Sequence, residues 1–175
     1  IYALKNRPQF NPLIMHVPDI AMAQNWAIIS PFAQELMQEF WYKRCASISF
    51  VLNLRKNHPL SLLALAGLNT VAVRRPNHAL AIKLLQNLDF PVAAPSANRS
   101  NSLSPTCADH VMQSLGNEVP VLNGGECTVG LESTIVDLTK EKITILRLGS
   151  VTAKDLESFG AVSIVDSNAA ITAPG

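Results

Sequence analysis

Apolar positions along this chain recur with two periods, near 2 and near 3.6, and the period switches at proline, glycine and capping residues. After the polar cluster Lys5–Asn11, the run Pro12–Val17 predicts a short buried strand. Asp19 is placed to cap a helix running towards Ile28. Ser30 followed by Pro31 marks a second helix start, with Phe32, Leu36, Met37 and Phe40 on one face. Ile48–Leu54 and Thr70–Val73 are rich in residues that suit strands. Asn77 is the expected cap of a helix whose apolar positions are Leu80, Leu84, Leu85 and Leu88. Phe90–Ala94 predicts a strand stopped by Pro95, and Pro95–Pro105 a polar loop. Thr106, with Asp109 three residues on, predicts a boxed helix start, and Gly116 its end. Val119–Leu122, Ser133–Leu138 and Ile143–Leu148 complete the expected strands, the last two joined by a polar hairpin at Lys140–Lys142. Thr152 caps a final short helix reaching Phe159.

Strands and helices mixed in this order predict an α/β fold, a twisted sheet with helices packed on it. Residues 1–160 form the expected domain, and residues 161–175, poor in charge and rich in alanine, read as a linker. The first residues read as the end of a helix. Together with an opening Ile1 and the tail Ala173-Pro174-Gly175, this reads either as cuts through a longer polypeptide or as the limits of an ordered segment.

Composition narrows the picture. At 175 residues and 48% hydrophobic, the chain can build one substantial core. A net charge of +1 gives no global basic field for a nucleic acid and leaves only a local patch. Cys45, Cys107 and Cys127 are widely spaced and fit reduced thiols better than a disulfide framework. No apolar run approaches the ~20 residues that cross a bilayer, and Lys5 and Arg7 are followed by no signal-like apolar stretch. A cytoplasmic protein is the expectation.

Five segments carry candidate chemistry. Lys5-Asn6-Arg7-Pro8, with Asn11 and His16 beyond, sets two cations beside a proline-restricted turn, either a phosphate site or a solvated loop. In Thr70-Val71-Ala72-Val73-Arg74-Arg75, alternation sends Arg74 to the face of Thr70 and Ala72, where it needs an anion or carboxylate; Arg75 points the other way, towards solvent. Ala94-Pro95-Ser96-Ala97-Asn98-Arg99-Ser100, running on through Ser104, offers hydroxyls and an amide without an adjacent base. That suits hydrogen bonding to phosphate or ribose better than covalent attack. Gly124–Gly130 has Walker-like glycine spacing, but Leu131-Glu132 replaces the required Lys-Ser/Thr pair, so this is no P-loop; Ser133 and Thr134 then open a strand. Arg147 ends the last of these strands, reaching a phosphate or capping the sheet. His16, His58, His78 and His110 show no metal-ligand spacing with each other or with the cysteines, no G-x-S-x-G elbow is present, and Trp26 and Trp41 read as core.

Taken together, K-x-R-P…N-P-L-I-x-H-V, T-V-A-V-R, A-P-S-A-N-x-S…S-P-T, G-x-E-S-T-I-V-D and L-R-x-G resemble the YrdC family over roughly residues 3–152. The resemblance implies a twisted open mixed sheet with a concave basic cavity. It implies a synthase that joins ATP, L-threonine and bicarbonate into threonylcarbamoyl-AMP, releasing pyrophosphate, with Mg²⁺ as the accompanying ion. A separate transferase complex then carries the product to the tRNA adenosine beside the anticodon. By position, Lys5, Arg7, Asn11, Thr70, Ser96, Asn98, Ser104 and Arg147 would face ATP, with Lys5 and Arg7 acting in catalysis. His16, Arg74, Ala94 and Ser133 would hold threonine.

Two departures accompany the resemblance. Family members begin with a strand region bearing a P-T-[DE/S]-T-x-Y-G-L-like motif, which this sequence does not contain. Where they read F-W-P-G-P-L-T, this chain has Phe40-Trp41-Tyr42-Lys43-Arg44-Cys45-Ala46-Ser47. The tail Thr172–Gly175 is similar to the linker that leads longer members into a second domain. Three other readings stay open: an RNA-binding module making weak contacts, a carbamoyl-adenylating relative that uses no threonine, and a non-catalytic paralogue.

Overall fold

A computed structural model describes residues 1–165. A short helix, α1 (Tyr2–Lys5), ends on Asn6 in the left-handed conformation (φ 53°), which turns the chain towards β1 (Ile14–His16). Asp19 caps α2 (Ile20–Gln24), its Oδ1 accepting from the Met22 amide at 2.8 Å. That helix stops short of the expected Ile28, because Ala27–Ile28 is claimed by the sheet as β2. Ser30 caps α3 (Pro31–Gln38) with proline in its first turn, and a π-helical turn, Glu39–Lys43, prolongs it and buries Phe40 and Trp41. Then follow β3 (Ile48–Leu54), β4 (Thr70–Arg74), α4 (Ala79–Gln86), β5 (Val92–Ala93), α5 (Ala108–Leu115), β6 (Thr134–Asp137), β7 (Ile143–Arg147), α6 (Ala153–Leu156) with a 3₁₀ turn to Phe159, and β8 (Val162–Ile164).

The strands form one open mixed sheet in the order β5-β1-β4-β3-β6-β7-β8, with β2 also on β3. The β1–β4, β3–β6 and β7–β8 pairs are parallel, and the rest antiparallel. Alternation divides the side chains sharply. One face buries Met15, Ile48, Phe50, Leu52, Val71, Val73, Val136, Ile143 and Ile145 against Leu36, Met37, Phe40 and Trp41. Trp41 is fully buried, tilted against Phe50, and donates its Nε1–H to the Ile48 carbonyl at 3.2 Å. The other face carries a small apolar floor of Ile14, Val51, Ala72 and Ile135, with Leu146 packed on it. Among the described residues no helix is long and apolar enough to cross a membrane.

Several expectations need correction. The cap of α4 is His78 rather than Asn77: its Nδ1 accepts from the Ala81 amide at 3.4 Å, and of the four leucines only Leu85 is buried while Leu80 and Leu84 are exposed. The Thr106/Asp109 box does not form. The cap position falls on Cys107, and the Thr106 hydroxyl turns to His110 Nδ1 at 3.2 Å. Val119–Leu122 is no strand; Pro120 lacks the amide a ladder needs, and Leu122 faces solvent. Phe90–Ala94 shrinks to two paired residues. Residues 162–164, expected in a linker, extend the sheet beside β7, and residues 166–175 of that stretch lie outside the described residues. Arg75 is not solvated: it donates to the carbonyls of Pro18 (2.9 Å) and Trp41 (3.2 Å) and lies 4.7 Å over the Tyr42 ring.

Candidate functional site

β1, β4 and β7 end, and β3 and β6 begin, at the same end of the sheet, so residues distant in sequence meet there. His16 and Arg74 are register partners on neighbouring parallel strands, both on the face of the small apolar floor. Arg74 Nη2 donates to Ser47 Oγ at 3.0 Å, while its buried Nε has no hydrogen-bond partner. Burial, with Arg147 adding repulsion, lowers the Arg74 pKa from its ordinary value. His16 is pushed down to about 4, first by burial and then by Arg74, against the backbone carbonyls of Ile14 and Val92. Its ring is neutral at neutral pH.

Ser133 lies fully buried just before β6, its hydroxyl 2.8 Å from that of Ser49 on β3. Arg147 reaches the same serine from β7, donating from Nε and Nη2 to the Ser133 carbonyl (3.1 and 2.9 Å) and from Nη2 to its Oγ (3.1 Å). Strict alternation would send Arg147 to the main core with Ile143 and Ile145. A bulge opposite Ile135/Val136 pairs Ile135 with Arg147 and Val136 with Ile145, and so turns the guanidinium onto the other face.

The second group gathers around Lys5. This side chain is only 4% exposed and donates from Nζ to the carbonyls of Ser96 and Asn98. Its own carbonyl accepts from the Ser100 amide at 2.9 Å, so the loop after Ala94 is clamped onto the end of α1. Asn98 is buried; its Nδ2 donates to the carbonyls of Arg99 (3.0 Å) and Ser102 (2.8 Å), and its Oδ1 is buried without a partner. Arg7 folds back over the next turn, donating to Asn11 Oδ1 at 2.7 Å and to the Pro12 carbonyl at 2.8 Å. Ala94 closes the group, its amide bonded to the Ile14 carbonyl at 3.1 Å. Lys5 and Arg7 both have lowered pKa values, each chiefly through burial; Arg7 lowers Lys5 further.

Glu132 links the two groups. Its carboxylate pairs with Arg147 Nη1 and accepts from Ser104 Oγ at 2.9 Å. It also attracts Lys5, Arg7 and Arg74, opposing the fall in their pKa values. Glu132 thus pairs directly with Arg147 and lies within electrostatic range of Lys5, Arg7 and Arg74, an excess of positive charge that suits a polyanion.

Of the residues singled out by sequence, Thr70 stands apart. It shares the face of Arg74 but lies four residues back along β4, about 13 Å away at ordinary strand rise. Three residues of the cluster were missing from the sequence reading. Glu132 lay inside the E-S-T-I-V-D block and could have been taken from it. Ser47 and Ser49 had no sequence signal beyond their place at the start of a strand. Ser47 belongs to the segment that departs from the family pattern, and that segment still contributes a contact to Arg74.

The family designated Sua5_yciO_yrdC, described as telomere recombination, matches residues 1–149. The threonylcarbamoyl-AMP synthase of Bacillus subtilis (strain 168) is 37% identical over 160 residues, covering 90% of this chain and 45% of that protein. The synthase of Pyrococcus abyssi is 36% identical, covering 90% of this chain and 45% of its own length. The chain thus spans under half the length of these curated relatives. The crystal structure of P. abyssi Sua5 complexed with L-threonine superposes with a TM-score of 0.88 at 34% identity, over 99% of this chain and 52% of that one. Escherichia coli YciO shares the fold at a TM-score of 0.73 and 20% identity, over 89% of this chain and 74% of that one.

Proposed function

The chain belongs to the Sua5/YciO/YrdC family, and from that premise we propose that it is the substrate-binding portion of an L-threonylcarbamoyladenylate synthase. Such an enzyme is a nucleotidyltransferase: it makes threonylcarbamoyl-AMP and pyrophosphate from ATP, L-threonine and bicarbonate, for a transferase complex that modifies tRNA in the cytoplasm. The observation that carries the reading is the convergence of Arg74, Arg147, Lys5 and Arg7 around one carboxylate, over an apolar floor bounded by His16, Ser49 and Ser133.

In this reading threonine lies at the strand ends. The Arg74 guanidinium, with its spare buried N–H, takes the amino acid's carboxylate, and the neutral His16 ring lies beside its register partner. ATP lies towards Lys5, Arg7, Asn11, Ser96, Asn98 and Ser104, with Arg147 between the two substrates. The amine of threonine and bicarbonate form a carbamate with loss of water. A carbamate oxygen then attacks the α-phosphorus, and the bond to the β,γ-pyrophosphate breaks. Both Ser49 and Ser133 hydroxyls are buried and mutually bonded, which argues for positioning and charge neutralisation rather than a covalent intermediate.

Among the described residues no three His, Cys, Asp or Glu side chains gather into a metal site. Mg²⁺ accompanying ATP would add charge neutralisation at the triphosphate to that supplied by Lys5, Arg7 and Arg147.

The test is pyrophosphate release from ATP and bicarbonate by the full-length gene product, with and without L-threonine. Threonine-dependent release supports the synthase. Release indifferent to threonine points to a carbamoyl-adenylating relative instead, and no release overturns the enzymatic reading.

A further inference from the structure

We propose that Glu132 is a displaceable internal anion: its carboxylate holds Arg147 and Ser104 at the place where a phosphate group of the ligand binds, and that phosphate takes its place. The inference rests on the nucleotide-binding reading above and deepens it.

Arg147 divides its donors. Nε and Nη2 are committed to Ser133, with three bonds to a buried residue, whereas Nη1 is committed to Glu132 alone. Removing the carboxylate thus leaves the guanidinium in place with one arm free. Ser104 is in the same position, its hydroxyl donating to the other carboxylate oxygen. Both are held by the same side chain.

Glu132 is built to leave. Its side chain is 42% exposed against 22% for Arg147, so the pair sits where ion pairs are individually weak. Its backbone packs closely on Gly149, where an added Cβ would lie 2.4 Å from the Glu132 carbonyl oxygen. With its side chain partly in solvent, Glu132 can release by a rotamer change. A phosphate group brings more negative charge to the same donors and stays within electrostatic range of Lys5, Arg7 and Arg74, whose charges Glu132 balances only in part.

The experiment is calorimetric titration of the full-length protein with inorganic pyrophosphate, for wild type, Glu132→Gln and Glu132→Asp. Melting temperatures confirm that each variant is folded. Asp keeps the charge but shortens the reach to Arg147 and Ser104, so displacement predicts about two- to fivefold tighter binding for Asp and at least as much for Gln. An Asp variant that binds like wild type overturns the proposal, because only overall charge then matters. Weaker binding by either variant overturns it as well, since Glu132 would then be supporting the ligand. Threonine-dependent pyrophosphate release, measured on the same preparations, separates the two ideas. Release with flat pyrophosphate affinities sinks displacement alone, and the expected affinity order without ATP turnover sinks the synthase reading alone.

Discussion

Ser49 and Ser133, 84 residues apart in sequence, meet hydroxyl to hydroxyl at 2.8 Å where β3 and β6 begin, and neither is exposed. The contact joins two parallel strands at the level of Arg74 and gives Arg147 its anchor. Removing one hydroxyl leaves the other buried and less satisfied. Ser49→Ala is therefore expected to cost about 1–2 kcal/mol of stability. The double variant with Ser133→Ala should cost less than the sum of the two single changes, because both partners are then gone. Urea unfolding of the three variants checks this, and strict additivity would count against a shared bond.

Gly149 is required by space and not by backbone angle. An added Cβ would meet the Glu132 carbonyl oxygen at 2.4 Å and the Thr134 amide nitrogen at 2.5 Å, both backbone atoms that cannot swing aside. Gly149→Ala should destabilise by about 1–3 kcal/mol and displace the Glu132–Ser133 segment. The expected signature is a lowered melting temperature together with weakened nucleotide binding; an unchanged melting temperature would show that the strands part freely.

Arg74 is a charge kept at a cost. Burial lowers its pKa, its Nε lacks a partner, and Ser47 Oγ supplies one bond at 3.0 Å. Arg74→Met is expected to leave stability unchanged or raise it by about 1 kcal/mol, since a desolvated cation is replaced by an apolar chain. Threonine binding should fall more than tenfold. Thermal unfolding and threonine titration on one preparation decide between this and a purely structural arginine, whose loss would lower the melting temperature.

His16 sets an acid limit on stability. Its pKa is pushed from 6.5 to about 4, chiefly by burial and then by Arg74. Between these values the unfolded chain binds a proton that the folded one refuses, so stability from this group is complete above pH 6.5 and is lost as pH falls towards 4. The full loss is at most about 3 kcal/mol, less in proportion to the part of the ring that water still reaches. Denaturant midpoints between pH 7.5 and 4.5 should fall more steeply for wild type than for His16→Gln. Parallel curves would mean that His16 does not carry the effect.

Much of the local structure was legible because its causes are local. Asp19, Ser30 and Thr152 each bond an amide three residues onward, a geometry the chain makes with itself. The strands Ile48–Leu54 and Thr70–Arg74 follow from runs of residues that suit a pleated surface. Two misreadings arose where a distant partner won over a local one. Ala27–Ile28 left the expected helix for β3, and Val162–Ile164 left an apparent linker for β7.

The site divides along the same line. Sequence alone determined which residue types are present and the order in which they come. It picked out Lys5, Asn98, Arg74, Ser133 and Arg147, because motifs and strand alternation are written along the chain. Tertiary structure decided who meets whom. The parallel pairing of β1 with β4 made His16 and Arg74 neighbours, and that of β3 with β6 made Ser49 and Ser133 neighbours. The bulge on the β6–β7 pair turned Arg147 out of the core, and the loop before β6 brought Glu132 to it. Register and bulges depend on how whole strands pack, and a one-residue shift reverses every side chain; no short window of sequence holds that information.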